Sequence, residues 1–144
     1  QHNGYFGDLS RTVVRGRASD KLKEIYATVQ AGQQIGYEQI RHGVNGKEVH
    51  ENILALFESR GFHTGRINGR MQGFFHGTGH GLGLDIHEPP RIAPVDAILR
   101  AGHVVTVEPG LYYLGIGGVR LEDVVVVTAK GNRNLTDCPQ FLEI

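Results

Sequence analysis

The chain has 144 residues, which is at most one domain with a single core. Its 15 Lys and Arg residues balance its 15 Asp and Glu residues, and no apolar stretch reaches the length of a membrane span, so we expect neither a nucleic-acid partner nor a membrane. The single cysteine, Cys138, excludes an internal disulfide and is compatible with a reducing, cytoplasmic location.

The chain begins with a predicted strand that is followed by a helix. Residues 5–14 place Asp8 among apolar side chains, which predicts a strand with one inward carboxylate, although a Gly-Asp pair is also typical of a turn. Ser19 or Asp20 can then cap a helix. Apolar residues with a 3.6-residue period predict that this helix continues to Ile40.

A second helix is indicated by its capping residues. Asn45 and Glu48 have the spacing of a capping box, an apolar stripe follows, and Gly61 can end the helix. Residues 62–71 are polar and rich in Arg and Gly, which predicts a loop. Two helices beside several later strands predict an α+β fold with an antiparallel sheet.

A glycine-rich stretch at residues 76–89 contains two histidines four positions apart. The glycines argue against a helix, so we predict an extended segment in which His76 and His80 share a face and a neighbouring backbone approaches closely. The prolines at 89, 90 and 94 predict irregular structure after His87.

Two later strands carry carboxylates. An apolar run at 103–107 ends in Glu108 immediately before a Pro-Gly pair, so this carboxylate lies at a strand end. Alternation over residues 119–128 predicts one strand with Arg120 and Glu122 on the same face. A simple Arg120–Glu122 ion pair at a sheet edge is the alternative for this strand alone.

Four metal-binding side chains thus fall on or at the ends of predicted strands: Asp8, His80, Glu108 and Glu122. Three carboxylates and one imidazole suit Mn²⁺, Fe²⁺, Co²⁺ or Zn²⁺, and bridging carboxylates hold two such ions about 3.5–4 Å apart. Such a pair generates a hydroxide nucleophile at neutral pH and polarises a carbonyl, as amide hydrolysis requires. His76 and His87 remain to hold substrate or move a proton.

These motifs resemble those of the pita-bread metallopeptidases, the family of methionine aminopeptidase, prolidase and aminopeptidase P. The matching stretches are GDLSRT at 7–12, HGTGHGLGLDIHEP at 76–89, TVEPGLY at 106–112 and GVRLED at 118–123. Arg120, two residues before the last glutamate, is similar to the Xaa-Pro branch, because methionine aminopeptidases end the corresponding stretch in Glu-His-Thr.

The resemblance implies a role for each site residue. The metal ligands that it implies are Asp8 and Glu122, which bridge two ions, together with His80 and Glu108. Catalytic roles fall to Arg120 and to His87, which contacts the scissile amide and shuttles protons, while His76 lines the substrate pocket. The implied activity is cleavage of the amide bond before a proline at the second position of a peptide. The oxygen-rich ligands favour Mn²⁺ over Co²⁺, Zn²⁺ or Fe²⁺. Because the family's sheet is shared between two halves, we expect this chain to expose a strand edge or an apolar face and to cover it by forming a homo-oligomer.

The sequence departs from the family at one ligand. The family's first aspartate ligand lies on the strand before the one that holds Asp8, and residues 1–7 contain no acidic residue. We therefore expect residues 1–144 to be the C-terminal portion of a catalytic domain, with four of five ligands, and to be weakly active or inactive as an isolated chain.

Two other functions fit the same fold. A peptidase-like module that only binds another protein would have eroded ligands, and a creatinase-like amidinohydrolase would replace the metal carboxylates. The intact Glu108 and Glu122 argue against both functions for the parent protein. For the isolated chain, the binding module stays a stronger alternative.

Overall fold

The computed structural model describes residues 2–144. Within that range it contains two helices, α1 (Asp20–Gln39) and α2 (Gly46–Ser59), neither of which combines the length and apolar character needed to span a membrane. The strands are β1 (Gly65–Ile67), β2 (Arg70–Gln72), β3 (Gly79–Gly81), β4 (Glu88–Ile92), β5 (Val104–Val107), β6 (Gly110–Tyr113), β7 (Gly117–Arg120), β8 (Asp123–Val127) and β9 (Asn132–Asn134).

The strands form one five-stranded sheet and two hairpins, and all their pairings are antiparallel. The five-stranded sheet has the order β4-β3-β5-β8-β9, while β1 pairs with β2 and β6 pairs with β7. Strand β5 therefore lies between β3 and β8. This order brings together three segments that the sequence analysis singled out for their polar side chains.

The two helices pack against each other, and α1 also contacts β5. The core between helices and sheet is apolar and includes Ile25, Val29, Ile53, Phe57, Val105 and Val107. Gly36 allows the close approach of α1, because a Cβ atom there would lie 2.5 Å from Cγ1 of Val107. The helix thus lies directly on the strand that ends at Glu108.

Both predicted helices are confirmed, with one difference in capping. The Ser19 side chain accepts a hydrogen bond from Leu22 N, and α1 ends at Gln39, one residue before the predicted limit. Asn45 caps α2 by accepting a hydrogen bond from Lys47 N. Among the described residues, the side chain of Glu48 makes no reciprocal hydrogen bond to Asn45, so the capping box is half formed.

The predicted strand over residues 5–14 is wrong. In place of a strand, this segment forms isolated bridges, such as Ser10 with Glu122 and Val14 with Glu143. The predicted loop at 62–71 is also wrong, since β1 and β2 form a hairpin there. Its turn is Asn68-Gly69, where both residues have positive φ, and that dipeptide is a strong hairpin signal in the sequence.

Three further predictions about strands need correction. The extended stretch predicted at 76–89 is regular only at β3 and at the first two residues of β4, because residues 83–87 form bends. Strand β4 forms where prolines predicted irregular structure; it lies at the edge of the sheet, where a missing N–H costs little. The strand predicted over 119–128 is split into β7 and β8, since residues 121–122 leave the β6–β7 hairpin to enter the larger sheet.

Candidate metal centre

Three neighbouring strands and the N-terminal segment converge on one cluster of acidic and imidazole groups. His80 lies in β3, Glu108 directly follows β5 and Glu122 directly precedes β8, so the order of the sheet places these side chains side by side. One ligand atom each from Asp8, His80 and Glu122 lies within 4.8 Å of the others. Nε2 of His80 is 3.1 Å from Oε1 of Glu108 and 3.7 Å from Oδ2 of Asp8.

The glycines on either side of His80 are explained by close backbone contacts. A Cβ atom at Gly79 would lie 1.9 Å from the carbonyl oxygen of Thr106, and one at Gly81 would lie 2.3 Å from the carbonyl oxygen of Pro89. Any larger residue at either position would push β3 away from its neighbours. The close approach that the glycine pattern predicts is therefore present on both sides of the histidine.

The hydrogen bonds of His80 prepare its Nε2 atom for a metal ion. Its Nδ1 atom lies 3.0 Å from the carbonyl oxygen of Gly81, which can only accept, so Nδ1 carries the proton. In the neutral ring, the Nε2 lone pair then faces the carboxylates of Asp8 and Glu108. A second ring nitrogen held by a backbone carbonyl is the usual arrangement of a metal-binding histidine.

Charges in this cluster shift the pKa values of the ligands. Burial raises the pKa of Glu122 to about 7, and the nearby charges of Glu108 and Asp8 act in the same direction. Burial opposes the charged form of His80, but hydrogen bonds to Glu108 and Gly81 and the charges of Glu108 and Asp8 outweigh it and raise the pKa. For Glu108, burial is outweighed by the hydrogen bond to His80 and by the charge of Arg120, so its pKa is lowered.

These pKa shifts indicate which protonation states the cluster favours when it holds no metal ion. Without a cation, the raised pKa values favour the protonated forms of Glu122 and His80. A divalent cation would replace those protons and stabilise the ionised carboxylates. The donor set of three carboxylates and one imidazole therefore fits a hard or borderline divalent ion both in chemistry and in charge.

A polar chain of three side chains borders the cluster. Nε of Arg120 donates to the hydroxyl of Tyr112 at 2.9 Å, and that hydroxyl lies 3.0 Å from Nε2 of His76. Nδ1 of His76 donates to the carbonyl oxygen of Gly77 at 2.8 Å, so Nε2 accepts the proton of Tyr112. Burial lowers the pKa of His76, as does the charge of Arg120, and both favour this neutral ring.

Tyr112 was not identified from the sequence. It lies in the TVEPGLY stretch, four residues after Glu108. Its position in β6 opposite Gly118 was not evident, because the single strand predicted over residues 119–128 did not include the β6–β7 hairpin. The pairing of Tyr112 with Gly118 gives the tyrosine ring room, since a Cβ atom at Gly118 would lie 2.6 Å from its Cδ1 atom. In the sequence, the signal for such a pairing was Gly118, which leaves space for a large side chain on a neighbouring strand and lies two residues before Arg120.

The remaining predicted site residues line the same cavity. A cavity of ≈ 240 Å³ is bordered by His76, His80, His87, Glu108 and Arg120 together with two glycines. The ring of the exposed His87 lies against that of His80, with centroids 4.3 Å apart. Nη1 of Arg120 lies 3.6 Å from Oε2 of Glu108. Among residues 2–144 no Arg120–Glu122 ion pair forms, so the simple sheet-edge alternative is wrong.

Comparisons with known proteins agree with these observations. The model of "Metallopeptidase family M24" matches residues 1–129. A curated relative, the "Uncharacterized peptidase YqhT" of Bacillus subtilis, is 42% identical over 146 residues, which cover 99% of this chain and 38% of the relative. An "Xaa-Pro dipeptidase" of Pyrococcus horikoshii is 39% identical over 136 residues, covering 92% and 36%.

Solved structures give the same result. The structure of an Xaa-Pro dipeptidase from Bacillus anthracis matches with a TM-score of 0.88 and 42% identity, over 98% of this chain and 38% of that one. An X-Pro aminopeptidase from Thermotoga maritima MSB8 matches with a TM-score of 0.87 and 32% identity, over 98% and 38%. The chain spans less than two-fifths of the length of each of these four proteins.

Proposed function

The chain belongs to metallopeptidase family M24, and from this premise we propose that its protein is a metal-dependent peptidase that cleaves the amide bond before proline. Its antiparallel sheets and two helices match the pita-bread prolidases, so the predicted α+β fold is confirmed. Relatives named Xaa-Pro dipeptidase support the specificity. The observation that carries the metal dependence is the convergence of Asp8, His80 and Glu122 within 4.8 Å.

We assign the protein ligands by their positions. Asp8 and Glu122 would hold both ions, while His80 and Glu108 would complete the set. Divalent ions bound by these residues would supply Lewis acidity to the scissile carbonyl and would activate a water molecule. Oxygen-rich donors favour Mn²⁺, with Co²⁺, Zn²⁺ and Fe²⁺ as alternatives. The further aspartate ligand that the family resemblance implies has no counterpart in the cluster formed by residues 2–144.

The other residues of the cavity orient the peptide and move protons. Arg120 borders this cavity, and its guanidinium N–H groups can donate to a peptide carbonyl or carboxylate beside the ligands. Neutral His76 accepts the proton of Tyr112, whose hydroxyl oxygen accepts from Nε of Arg120, and this chain orients the guanidinium group. His87 is exposed at the edge of the same cavity and can exchange protons with solvent, which suits a proton shuttle at the scissile amide.

Hydrolysis of matched dipeptides tests this proposal. After treatment with a chelator, the protein should cleave Leu-Pro only when Mn²⁺ is restored, and should cleave Leu-Ala much more slowly. The variant Glu122→Gln keeps the shape of the side chain but removes a ligand charge, so metal content and rate should both fall. Cleavage that persists without metal, or a preference for Leu-Ala, would contradict the proposal.

Metal binding by the 144-residue chain is a separate test. With the ligands present in the cluster, we expect binding of one ion at most and little or no cleavage. Isothermal titration with Mn²⁺ measures the stoichiometry. Homo-oligomer formation and a cytoplasmic location stay predictions from the sequence.

A further inference from the structure

The position of Asp8 is not explained by a strand. Because residues 5–14 form no continuous ladder, another interaction must hold this carboxylate near the other ligands. The nearest attachment on the side of β8 is Ser10. Its carbonyl oxygen accepts a hydrogen bond from Glu122 N at 3.0 Å, and its hydroxyl donates to Oε2 of Glu122. The relative position of Asp8 and Glu122 therefore depends on how Ser10 is held.

The guanidinium group of Arg11, the next residue, makes five hydrogen bonds with its three nitrogens. Nη1 donates to the carbonyl oxygens of Ser10 (3.0 Å) and Glu122 (2.6 Å). Nη2 donates to Oδ1 of Asp123 (2.7 Å) and to the carbonyl oxygen of Cys138 (2.8 Å). Nε donates to the carbonyl oxygen of Pro139 (3.3 Å). Five N–H groups thus meet five acceptors. One planar group fixes the N-terminal segment, the start of β8 and the C-terminal segment against each other.

The counter-ion of Arg11 anchors it from the core side. The carboxylate of Asp123 is 2% exposed, and its second oxygen accepts hydrogen bonds from Tyr37 and Gln33. These donors come from α1, which packs on the strand that ends at Glu108. Displacement of Arg11 would leave the buried charge of Asp123 without its cation, which is costly. The guanidinium is therefore held in one position.

We propose that Arg11 is a positioning residue of the metal centre, which sets the spacing between Asp8 and Glu122 without contacting an ion. The role rests on the proposed metal centre. It requires the planar fork of arginine, because a lysine ammonium has only three donors and cannot bridge the same acceptors. Loss of the fork keeps a charge beside Asp123 but removes the donor that the carbonyl oxygens of Ser10 and Glu122 share, so only the direct Ser10–Glu122 hydrogen bonds remain.

The variant Arg11→Lys tests this role, with Arg60→Lys as the matched control. Arg60 is exposed at the end of α2 and makes one side-chain hydrogen bond, to Thr28. We expect Arg11→Lys to raise the Kd for Co²⁺ by roughly 10- to 100-fold, the usual effect of losing an outer partner of a metal site. At saturating Co²⁺ its visible absorption spectrum should also differ from that of the unaltered chain. The control should change neither quantity.

The spectrum separates positioning from a loss of stability, because it reports the geometry around bound Co²⁺ and not the folded fraction. Equal Kd values and equal spectra for Arg11→Lys and the unaltered chain would overturn the role of Arg11 alone. These variants are made in the full-length protein, and absence of Co²⁺ binding there would overturn the metal centre and this role together.

A second measurement uses the unaltered chain and decides the matter if Arg11→Lys does not fold. Coupling between two sites is reciprocal, so metal binding must stabilise the contacts of Arg11 if those contacts stabilise the metal centre. Saturation with Zn²⁺ should slow hydrogen exchange of the Arg11 side-chain N–H groups in NMR spectra. The Arg60 side chain is the internal reference. Equal exchange of Arg11 with and without bound Zn²⁺ would overturn the proposal.

Discussion

The variant Glu122→Gln should stabilise the metal-free chain, although it removes a proposed ligand. The pKa of Glu122 is raised from 4.5 to about 7, so ionisation of this carboxyl is less favourable in the folded chain than in the unfolded chain. The folded chain therefore holds a proton that the unfolded chain has lost between pH 4.5 and about 7. Across this window the contribution of Glu122 to stability falls as the pH rises, and above it the loss is complete.

The size of the effect follows from the two pKa values. The difference between 4.5 and about 7, at about 1.4 kcal/mol per pKa unit, gives a loss of about 3 kcal/mol at pH 8. At pH 5, only a small part of the range between the two pKa values has been crossed, so the loss is about 1 kcal/mol. A glutamine side chain carries no charge and still accepts the hydrogen bond from Ser10. Glu122→Gln should raise the free energy of unfolding by these amounts.

Urea denaturation at pH 5 and pH 8, in the presence of a chelator, measures this difference. The control is Glu38→Gln, which changes an exposed glutamate of α1 and should have the same small effect at both pH values. Added Mn²⁺ should reverse the order, because it stabilises the unaltered chain and not the variant. A metal-free Glu122→Gln chain that is less stable at pH 8, or that gains equally at both pH values, would refute the reasoning.

Three further results are expected. Metal binding should release protons from His80 and Glu122, so the Mn²⁺ affinity measured by calorimetry should increase from pH 6 to pH 8; a constant affinity would contradict this. His87→Ala should keep its metal content by elemental analysis while Xaa-Pro cleavage slows by roughly 10²–10⁴-fold, whereas loss of metal would make His87 a ligand. Gly36→Ala should lower the free energy of unfolding in urea by roughly 1–3 kcal/mol through overpacking, while Gly65→Ala, which meets nothing within 4 Å, should not.

The sequence was most informative where a local pattern matched a local structure. The helix caps at Ser19 and Asn45 and the strand end at Glu108 depend on neighbouring residues in the chain, and each prediction agrees with the structure. The prediction that Arg120 and Glu122 project together agrees with the site, since Nη1 of Arg120 lies 3.6 Å from Oε2 of Glu108 and the charges of Glu108 and Arg120 both act on the pKa of Glu122. It holds even though the strand is divided between two sheets.

The sequence was least informative where distant contacts decide the structure. Residues 5–14 have the composition of a strand, but their place is set by Arg11 and by contacts more than a hundred residues away. Strand β4 forms despite its prolines because it occupies a sheet edge, which no local pattern predicts. Tyr112 was missed for the same reason, since its partner His76 lies 36 residues earlier in the chain.

The sheet order β3-β5-β8 also ties the ligand set to correct strand alignment. In this register Thr106 faces Val124 and Val107 faces Asp123, so Glu122 enters the sheet beside the end of β5. A slip of one residue would turn Leu121 or Asp123 toward the ligands and bury Glu122 on the helix side, because side chains alternate between faces. A misaligned chain would therefore lose its whole ligand cluster. Metal binding would then stabilise only the chain with correctly paired strands and would favour it over misfolded forms.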